Sequence, residues 1–188
     1  AGFRPAQKIG KLGMRGSPTS ELVFEGCVVP DANVLGEVGR GAAVLMSGLD
    51  YERAVLAGVQ LGIMQACLDT VIPYVRERKQ FGKPIGAFQH NKFKIAELVT
   101  AIEVAEAYVD DCVGAHAEGQ LTAVDAAKAK WWSAQVQNDV LDECVQLHGG
   151  YGFMNEYRVA RAWRDARVTK IWAGSNEIMK ELIGRDLG

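Results

Sequence analysis

The sequence predicts a mainly α-helical protein, an antiparallel helical bundle preceded by a short β-rich segment. Beyond about residue 38 the apolar residues recur at steps of three and four, which is the period of an amphipathic helix. Before residue 20 glycines and prolines are frequent and separate short extended runs, as in strands and turns. We therefore expect part of a β-domain over residues 1–35 and a helical bundle over residues 36–188.

Composition narrows the class of protein. The 188 residues are 48% hydrophobic and 23% charged, which suits a globular core. With 21 Lys and Arg against 23 Asp and Glu, the net charge of −2 gives no basic excess for nucleic-acid binding. No uninterrupted apolar run approaches the roughly 20 residues that span a bilayer, so we expect no membrane partner.

The four cysteines are far apart, without a CxxC pair, and the three histidines do not cluster with them. This spacing favours reduced, buried thiols in a cytosol-like compartment over a zinc site or disulfides, so we expect no metal.

In the β-rich segment, alternation and β-branched content predict strands over residues 20–25 and 27–30. Two or three strands make an incomplete sheet with unpaired edges. The chain also starts with Ala1 rather than Met and runs directly into Phe3-Arg4-Pro5. We therefore expect a piece of a longer protein.

The first long helix is predicted from an apolar stripe. Pro73 is expected to bend or end this helix. The polar, glycine-bearing residues 76–84 then indicate a loop or a frayed helix end. The stripe comprises Leu45, Leu49, Glu52, Leu56, Val59 and Ile63.

Four more helices follow, joined by short connections that favour an antiparallel bundle. Gly119 is expected to stop the first of them and Gly149-Gly150 the second. Thr122 with Asp125 gives a weak capping-box signal. The helices are expected over residues 89–117, 122–147 and 156–170, and from Ser175 or Asn176 onward, with Glu177 in the first turn of the last.

Glu52 stands on the predicted stripe where a hydrophobic residue is expected. One interpretation places it at the margin of the stripe, paired with Arg53 or another cation, and periodicity alone favours this one. The other is a carboxylate facing a closed pocket, whose pKa rises when substrate excludes water, which makes it a candidate general base.

Three further motifs have both a functional and a simpler explanation. Glycines after Gln146 allow close approach to a ligand or merely end a helix, and His148 alone is more often structural. Arg78 beside Phe81 and Gly82 can hold a phosphate and a planar ring, or form a solvated basic loop. Residues 173–177 offer free N–H groups to an anion or carbonyl oxygen, or ordinary helix capping.

Together these motifs resemble the C-terminal part of the acyl-CoA dehydrogenase family, closest to its isovaleryl-CoA and long-chain branches, over essentially the whole chain. The similar segments are KLGMRGSPTSELVFEGCVVP, LMSGLDYERAVLAG, RERKQFGKPIGAFQ, VQLHGGYGF and RDARVTKIWAGSNEIMKELIGR.

The resemblance implies a flavoprotein, with residues 1–35 the end of a middle β-domain and residues 36–188 its C-terminal bundle. Such enzymes use FAD to convert an acyl-CoA to a trans-2-enoyl-CoA and pass the electrons to an electron-transfer flavoprotein. It also implies a homo-oligomer, usually a tetramer, in the bacterial cytoplasm or mitochondrial matrix.

The resemblance also implies site residues. Most of the family carries its catalytic Glu at the position of Ala173, whereas the isovaleryl-CoA and long-chain branches carry it at the position of Glu52. Asp50, Arg53, Ala173 and Gly174 are then expected at the substrate. The residues expected at FAD are Arg78, Phe81, Gln89, Gln146, Leu147, His148, Gly149, Gly150, Ser175 and Glu177.

Two alternatives remain open at this stage, and so does the length or branching of the acyl chain. One is a non-catalytic helical oligomerisation module. The other is an acyl-CoA oxidase or flavin monooxygenase of the same fold, which would use oxygen directly.

Overall fold

The computed structural model describes residues 2–188, which form two compact units divided between Leu49 and Asp50. The domain boundary expected after residue 35 stays a prediction.

The first unit contains one antiparallel strand pair. Strand β1 (Phe3–Lys8) pairs with β2 (Ser20–Phe24), with Phe3 opposite Phe24 and an irregularity between Pro5 and Lys8. The two Phe rings lie 5.0 Å apart between centroids, a cross-strand aromatic contact that stabilises the pair.

The strand expected over residues 27–30 is wrong, because this segment pairs with no strand of the described residues and Val28 is 88% exposed. A 3₁₀ turn at Asp31–Asn33 and the short helix α1 (Gly41–Met46) complete the unit.

The second unit is a helical bundle, as expected. Helix α4 packs against α3, α5 and α6, and the core also takes side chains from α2, among them Met64 and Val71. The long helices are α2 (Leu49–Glu77), α3 (Gln89–Ala117) and α4 (Ala123–His148), followed by α5 (Arg158–Ala166) and α6 (Asn176–Asp186).

The predicted helix ends are mostly confirmed. Gly119 follows α3 with a φ of 71°, a conformation that glycine adopts without strain. The Thr122 side chain caps α4 by accepting from the Asp125 N–H, and Ser175 caps α6 by accepting from the Ile178 N–H.

The end of α2 differs from expectation. Pro73 lies inside this helix, which continues to Glu77. Residues 76–84 are also not a plain loop. Strands β3 (Lys79–Gln80) and β4 (Lys83–Pro84) form a tight hairpin whose two turn residues, Phe81 and Gly82, both have positive φ.

The predicted buried face of α2 is wrong. Its helical stripe is broken because α1 ends at Met46, before α2 begins, and Val59 is 52% exposed. The face that enters the bundle is richer in small and polar residues, which let neighbouring helices approach. It comprises Arg53, Ala54, Ala57, Gln60, Met64, Cys67, Leu68, Val71 and Val75.

Within the described residues, the stretch Gly41–Glu77 is long and apolar enough to cross a membrane by length and composition alone. The core helix of a globular protein meets the same criterion, and α2 contributes its buried face to the bundle.

Three of the free cysteine thiols are buried in the bundle. Burial raises the pKa of Cys67 to about 11 and that of Cys144 to about 12.

Candidate functional site

A buried arginine joins the start of α2 to the turn before α6. The Arg53 side chain is only 5% exposed. Its Nε donates to the carbonyl oxygen of Ala173 at 3.3 Å, and its Nη1 donates to Asp50 Oδ1 at 3.1 Å. Arg53 therefore bonds directly to two of the other three residues expected at the substrate.

A fully buried lysine holds the next carbonyl of the same turn. Lys130 Nζ on α4 donates to the carbonyl oxygen of Gly174 at 2.6 Å and to Asn176 Oδ1 at 3.4 Å. The pKa of Lys130 is lowered to about 8, chiefly by burial and then by the charge of Arg53, whereas Glu177 acts in the opposite direction.

The backbone between these cations has an unusual conformation. Ala173 and Gly174 both have positive φ, 51° and 92°. Since the peptide bonds are trans, a carbonyl directed at Arg53 or Lys130 sends the N–H of the following residue, Gly174 or Ser175, the opposite way. Neither N–H has a hydrogen-bond acceptor within the described residues. Two such successive donors suit an oxygen that acquires negative charge.

Glu52 is exposed in this chain, and it forms no ion pair with any described residue. The interpretation that pairs Glu52 with Arg53 is wrong, since Arg53 bonds Asp50 and Ala173 instead. Neighbouring residues of a helix point about 100° apart, so Glu52 projects beside the buried cluster and not into it. Val55 and Val59, one and two turns further along, are about half exposed on the same side.

A second cluster surrounds a cavity of about 530 Å³ at the far end of α2 and α4. Six of the residues expected at the cofactor line this cavity: Arg78, Gln146, Leu147, His148, Gly149 and Gly150. Sequence reasoning missed the other lining residues, which are Tyr74, Gln80, Ile85, Tyr151 and Met154.

Aromatic rings form one wall of the cavity. The Arg78 guanidinium lies 5.5 Å from the ring centroid of Tyr151, which stacks on Tyr157 at 5.1 Å. Tyr74 stacks on His148 at 4.2 Å and donates from its hydroxyl to the His148 carbonyl at 3.1 Å. A guanidinium held on a flat ring beside glycine backbone can bind a phosphate or a planar group.

The His148 ring makes contacts that stabilise the fold. It is buried, and its Nδ1 lies 2.9 Å from the carbonyl oxygen of Cys144. That contact favours the tautomer with a proton on Nδ1, so the structural explanation of this histidine fits better than a catalytic one.

Four of the expected cofactor residues lie outside this cavity. Phe81 is 93% exposed at the tip of the β3–β4 hairpin, and Gln89 is exposed at the start of α3. Ser175 caps α6, and the pKa of the Glu177 carboxyl is lowered first by its own backbone N–H and then by the Ser175 hydroxyl. Their role at a cofactor stays a prediction.

Lys130 and Asn176 were also missed from the sequence. A signal was present, because Lys130 falls at helical spacing between Ala127 and Ala134 on the small-residue face of α4. A lysine on such a face is exceptional, since lysines are rarely buried without a partner.

The fold and the two clusters define a helical-bundle domain with one polar turn held by buried cations and one arginine-lined cavity. The chain belongs to the acyl-CoA dehydrogenase family, whose C-terminal domain matches residues 39–188.

Two curated relatives align with 99% of the chain. The chain is 49% identical to isovaleryl-CoA dehydrogenase, mitochondrial, of Solanum tuberosum, and covers 45% of it. It is 42% identical to the long-chain specific acyl-CoA dehydrogenase, mitochondrial, of Rattus norvegicus, and covers 43% of it. The chain thus spans less than half the length of these relatives.

Among solved structures, an acyl-CoA dehydrogenase complexed with FAD from Bacillus anthracis superposes with a TM-score of 0.94 at 30% identity. That alignment covers the whole of this chain and 35% of the other. The mainly helical fold expected from the sequence is therefore confirmed.

Proposed function

We propose that the chain is the C-terminal part of a FAD-dependent acyl-CoA dehydrogenase in which Glu52 removes the α-proton of the acyl-CoA thioester. The product is the trans-2-enoyl-CoA. The main support is the hydrogen bond from Arg53 to the Ala173 carbonyl, because it places the start of α2 against the turn that carries the acid in most of the family. A base at position 52 then acts beside the same turn.

Exposure of Glu52 sets a requirement on this proposal. A carboxylate in water is a weak base toward a thioester α-carbon, so the working site must exclude water. The half-exposed Val55 and Val59 beside Glu52 suit a surface that substrate and further parts of the full-length protein cover. Arg53, fixed by Asp50 and Ala173, keeps this end of α2 in place.

The 173–175 turn suits the thioester oxygen. Removal of the α-proton moves negative charge onto that oxygen, and preorganised N–H donors stabilise such charge in a water-poor site. The N–H groups of Gly174 and Ser175 are free for this role, and the carbonyls on the other side are held by Arg53 and Lys130.

The Arg78 cavity suits part of FAD. A guanidinium, the Gln146 amide and the open backbone at Gly149 and Gly150 match the phosphate and adenosine portions of a dinucleotide in chemistry. The related structure complexed with FAD supports the same cofactor. FAD, when bound, supplies the hydride acceptor for the reaction.

We also infer a homo-oligomer that reduces an electron-transfer flavoprotein. A groove of about 650 Å³ between α3, α4 and α5 is lined by Trp132 and Trp163, both more than 40% exposed. Exposed tryptophans in a groove favour a protein interface.

The relatives do not fix the acyl chain, because they are named for isovaleryl and for long-chain acyl groups. Their names are mitochondrial, and a bacterial cytoplasm or a mitochondrial matrix stays the expected location.

Replacement of the base tests the proposal. In the full-length protein, Glu52→Gln is expected to lower turnover of acyl-CoA by about 10³-fold with the FAD content unchanged, since the amide cannot accept the proton. The matched control is Glu106→Gln, an exposed glutamate on α3, which should keep wild-type turnover. The assay uses a panel of branched, short and long acyl-CoA esters.

Other outcomes would contradict the proposal in different ways. Wild-type turnover by Glu52→Gln removes Glu52 from the mechanism. Peroxide production without an electron-transfer flavoprotein indicates an acyl-CoA oxidase. A colourless full-length protein that turns over no ester of the panel indicates a non-catalytic module.

A further inference from the structure

We propose that the interior of the bundle binds a water molecule between two buried glutamines, Gln60 on α2 and Gln137 on α4. The water accepts a hydrogen bond from Gln60 Nε2 and donates one to Gln137 Oε1, and so bridges the two helices. This inference does not depend on the proposed function, because it concerns neither the 173–175 turn nor the Arg78 cavity.

The two buried amides have too few hydrogen-bond partners in the protein. Gln60 is 1% exposed, and Gln137 is completely buried. Gln60 Oε1 accepts from the Ser133 hydroxyl, but Gln60 Nε2 and both amide atoms of Gln137 have no partner within the described residues. A buried polar atom without a partner costs its full desolvation energy, and in native proteins ordered water commonly bonds to such atoms.

Matching intervals along the two helices bring the glutamines to the same level. On their facing sides, α2 and α4 each carry three residues spaced seven positions apart, which is about two helical turns. The matched pairs are Arg53 with Lys130, Gln60 with Gln137, and Cys67 with Cys144. The outer two pairs interact electrostatically, since Arg53 is the next cause after burial of the lowered pKa of Lys130. In the same order, burial and then Cys67 raise the pKa of Cys144.

The side chains next to the glutamines agree with this placement. Gln60 bonds across the helices to Ser133, which lies one turn before Gln137 on α4. Ala57 and Ala134 each precede a glutamine by three residues on the same helical face, and both are completely buried. Alanine fills little of this level of the bundle, and a water molecule needs only about 30 Å³.

A direct hydrogen bond between the two amides would not satisfy them. If Gln60 Nε2 donated to Gln137 Oε1, the Nε2 of Gln137 would still lack an acceptor. A water molecule has two hydrogens and two lone pairs, so it can bridge Gln60 Nε2 and Gln137 Oε1 and accept from Gln137 Nε2 as well. About three hydrogen bonds are typical of a buried water.

The bridge would connect helices that serve both clusters of the candidate site. Helices α2 and α4 carry Arg53 and Lys130 at one end and line the Arg78 cavity at the other. A buried polar contact of this kind restricts how two helices can slide along each other, because a shift leaves the amides without their partner.

A crystal structure of the full-length protein, at a resolution that shows ordered water, tests the inference. We expect a water peak about 2.7–3.2 Å from both Gln60 Nε2 and Gln137 Oε1. Gln137→Leu should lose this peak, because the substitution removes two of the three partners of the water. The matched control is Gln65→Leu on α2, an exposed glutamine that bonds Asp69, and it should keep the peak.

Three results would overturn the site. The first is a wild-type structure in which the two amides bond each other with no water between them, and the second is unpaired amides without density between them. The third is a peak that persists in Gln137→Leu, since the water would then bond other groups. If Gln137→Leu does not fold, Gln60→Leu removes the remaining partner and replaces it. Loss of acyl-CoA turnover overturns the proposed function alone and leaves these results unaffected.

Discussion

Arg53 donates from Nε to the carbonyl oxygen of Ala173 at 3.3 Å, although the two residues lie 120 positions apart in the chain. The bond joins the segment of the proposed base, Glu52, to the turn at which the resemblance implies an acid in most of the family. It also orients the peptide between Ala173 and Gly174, so that the side chain of Arg53 acts on the direction of a backbone N–H.

The backbone at Gly174 disfavours any other residue, because its φ of 92° strains an L side chain. A Cβ at this position would also lie 2.6 Å from Met179 Cε, the end of a flexible side chain that would have to shift. Gly174→Ala is expected to lower the free energy of unfolding by about 1–3 kcal/mol, measured by urea denaturation.

Gly184→Ala is the matched control for this substitution. Gly184 lies in α6, and apart from the adjacent backbone of that helix no atom of the described residues lies within 4 Å of an added Cβ. Alanine should therefore raise the free energy of unfolding by about 0.5–1 kcal/mol. Equal effects of the two substitutions would contradict the strain assigned to Gly174.

Lys130 should make stability depend on pH in the alkaline range. Its pKa is about 8 in the folded chain and 10.5 when unperturbed, so between these values the unfolded state binds more protons. Wild-type stability relative to Lys130→Met should therefore rise with pH, by about 2 kcal/mol from pH 8 to 9.5. Urea denaturation across this pH range measures the difference in the free energy of unfolding. For the control, Ser133→Ala, the difference from wild type should not change with pH. A falling difference would contradict the lowered pKa.

The cap of α4 is expected to contribute in the acid range. Thr122 Oγ1 accepts from the Asp125 N–H at 3.1 Å and donates to Asp125 Oδ2 at 2.5 Å, and this hydroxyl is the main cause of the lowered pKa of Asp125. Thr122→Ala should lower the free energy of unfolding by about 1 kcal/mol near neutral pH. The loss should shrink as the pH falls through the lowered pKa of Asp125, because the carboxylate is then protonated in both proteins.

Thr100→Ala separates capping from the mere loss of a hydroxyl. Thr100 donates to the Ala96 carbonyl within α3 and caps nothing, so its loss should change stability by less than about 0.5 kcal/mol. A pH-independent loss in Thr122→Ala would contradict the link to Asp125.

Local signals made the helices predictable. Helix α3 spans Gln89–Ala117 as expected, since its end depends on Gly119, a residue beside it in sequence. The motif at Gln146–Gly150 was also found, because glycines that end a helix can be read locally. Such signals act within a few residues and do not depend on what packs against the helix.

The features that could not be predicted, the buried face of α2 and the walls of the two sites, depend on tertiary packing. The buried face of α2 is occupied by Arg53, Ala54 and Ala57, and apolarity alone ranks Val59 of the same helix above them. The burial of Arg53 depends on acceptors that fold against it from a turn 120 residues away. The aromatic wall of the Arg78 cavity likewise depends on Tyr151 meeting the end of α2, which no local pattern indicates.

The Arg78 cavity leads to a prediction about FAD retention. Arg78 lies over the Tyr151 ring and is the cationic group expected at the phosphates, so Arg78→Gln in the full-length protein should weaken FAD binding by about tenfold, equivalent to about 1.4 kcal/mol. Tyr151→Leu should weaken it in the same direction, because the guanidinium loses the ring that orients it. FAD retained after gel filtration, measured by absorbance, is the readout. Arg185→Gln is the control, since Arg185 is exposed and its partner among the described residues is Glu181, at 2.7 Å. Full FAD retention by both the Arg78 and Tyr151 variants would place the cofactor away from this cavity.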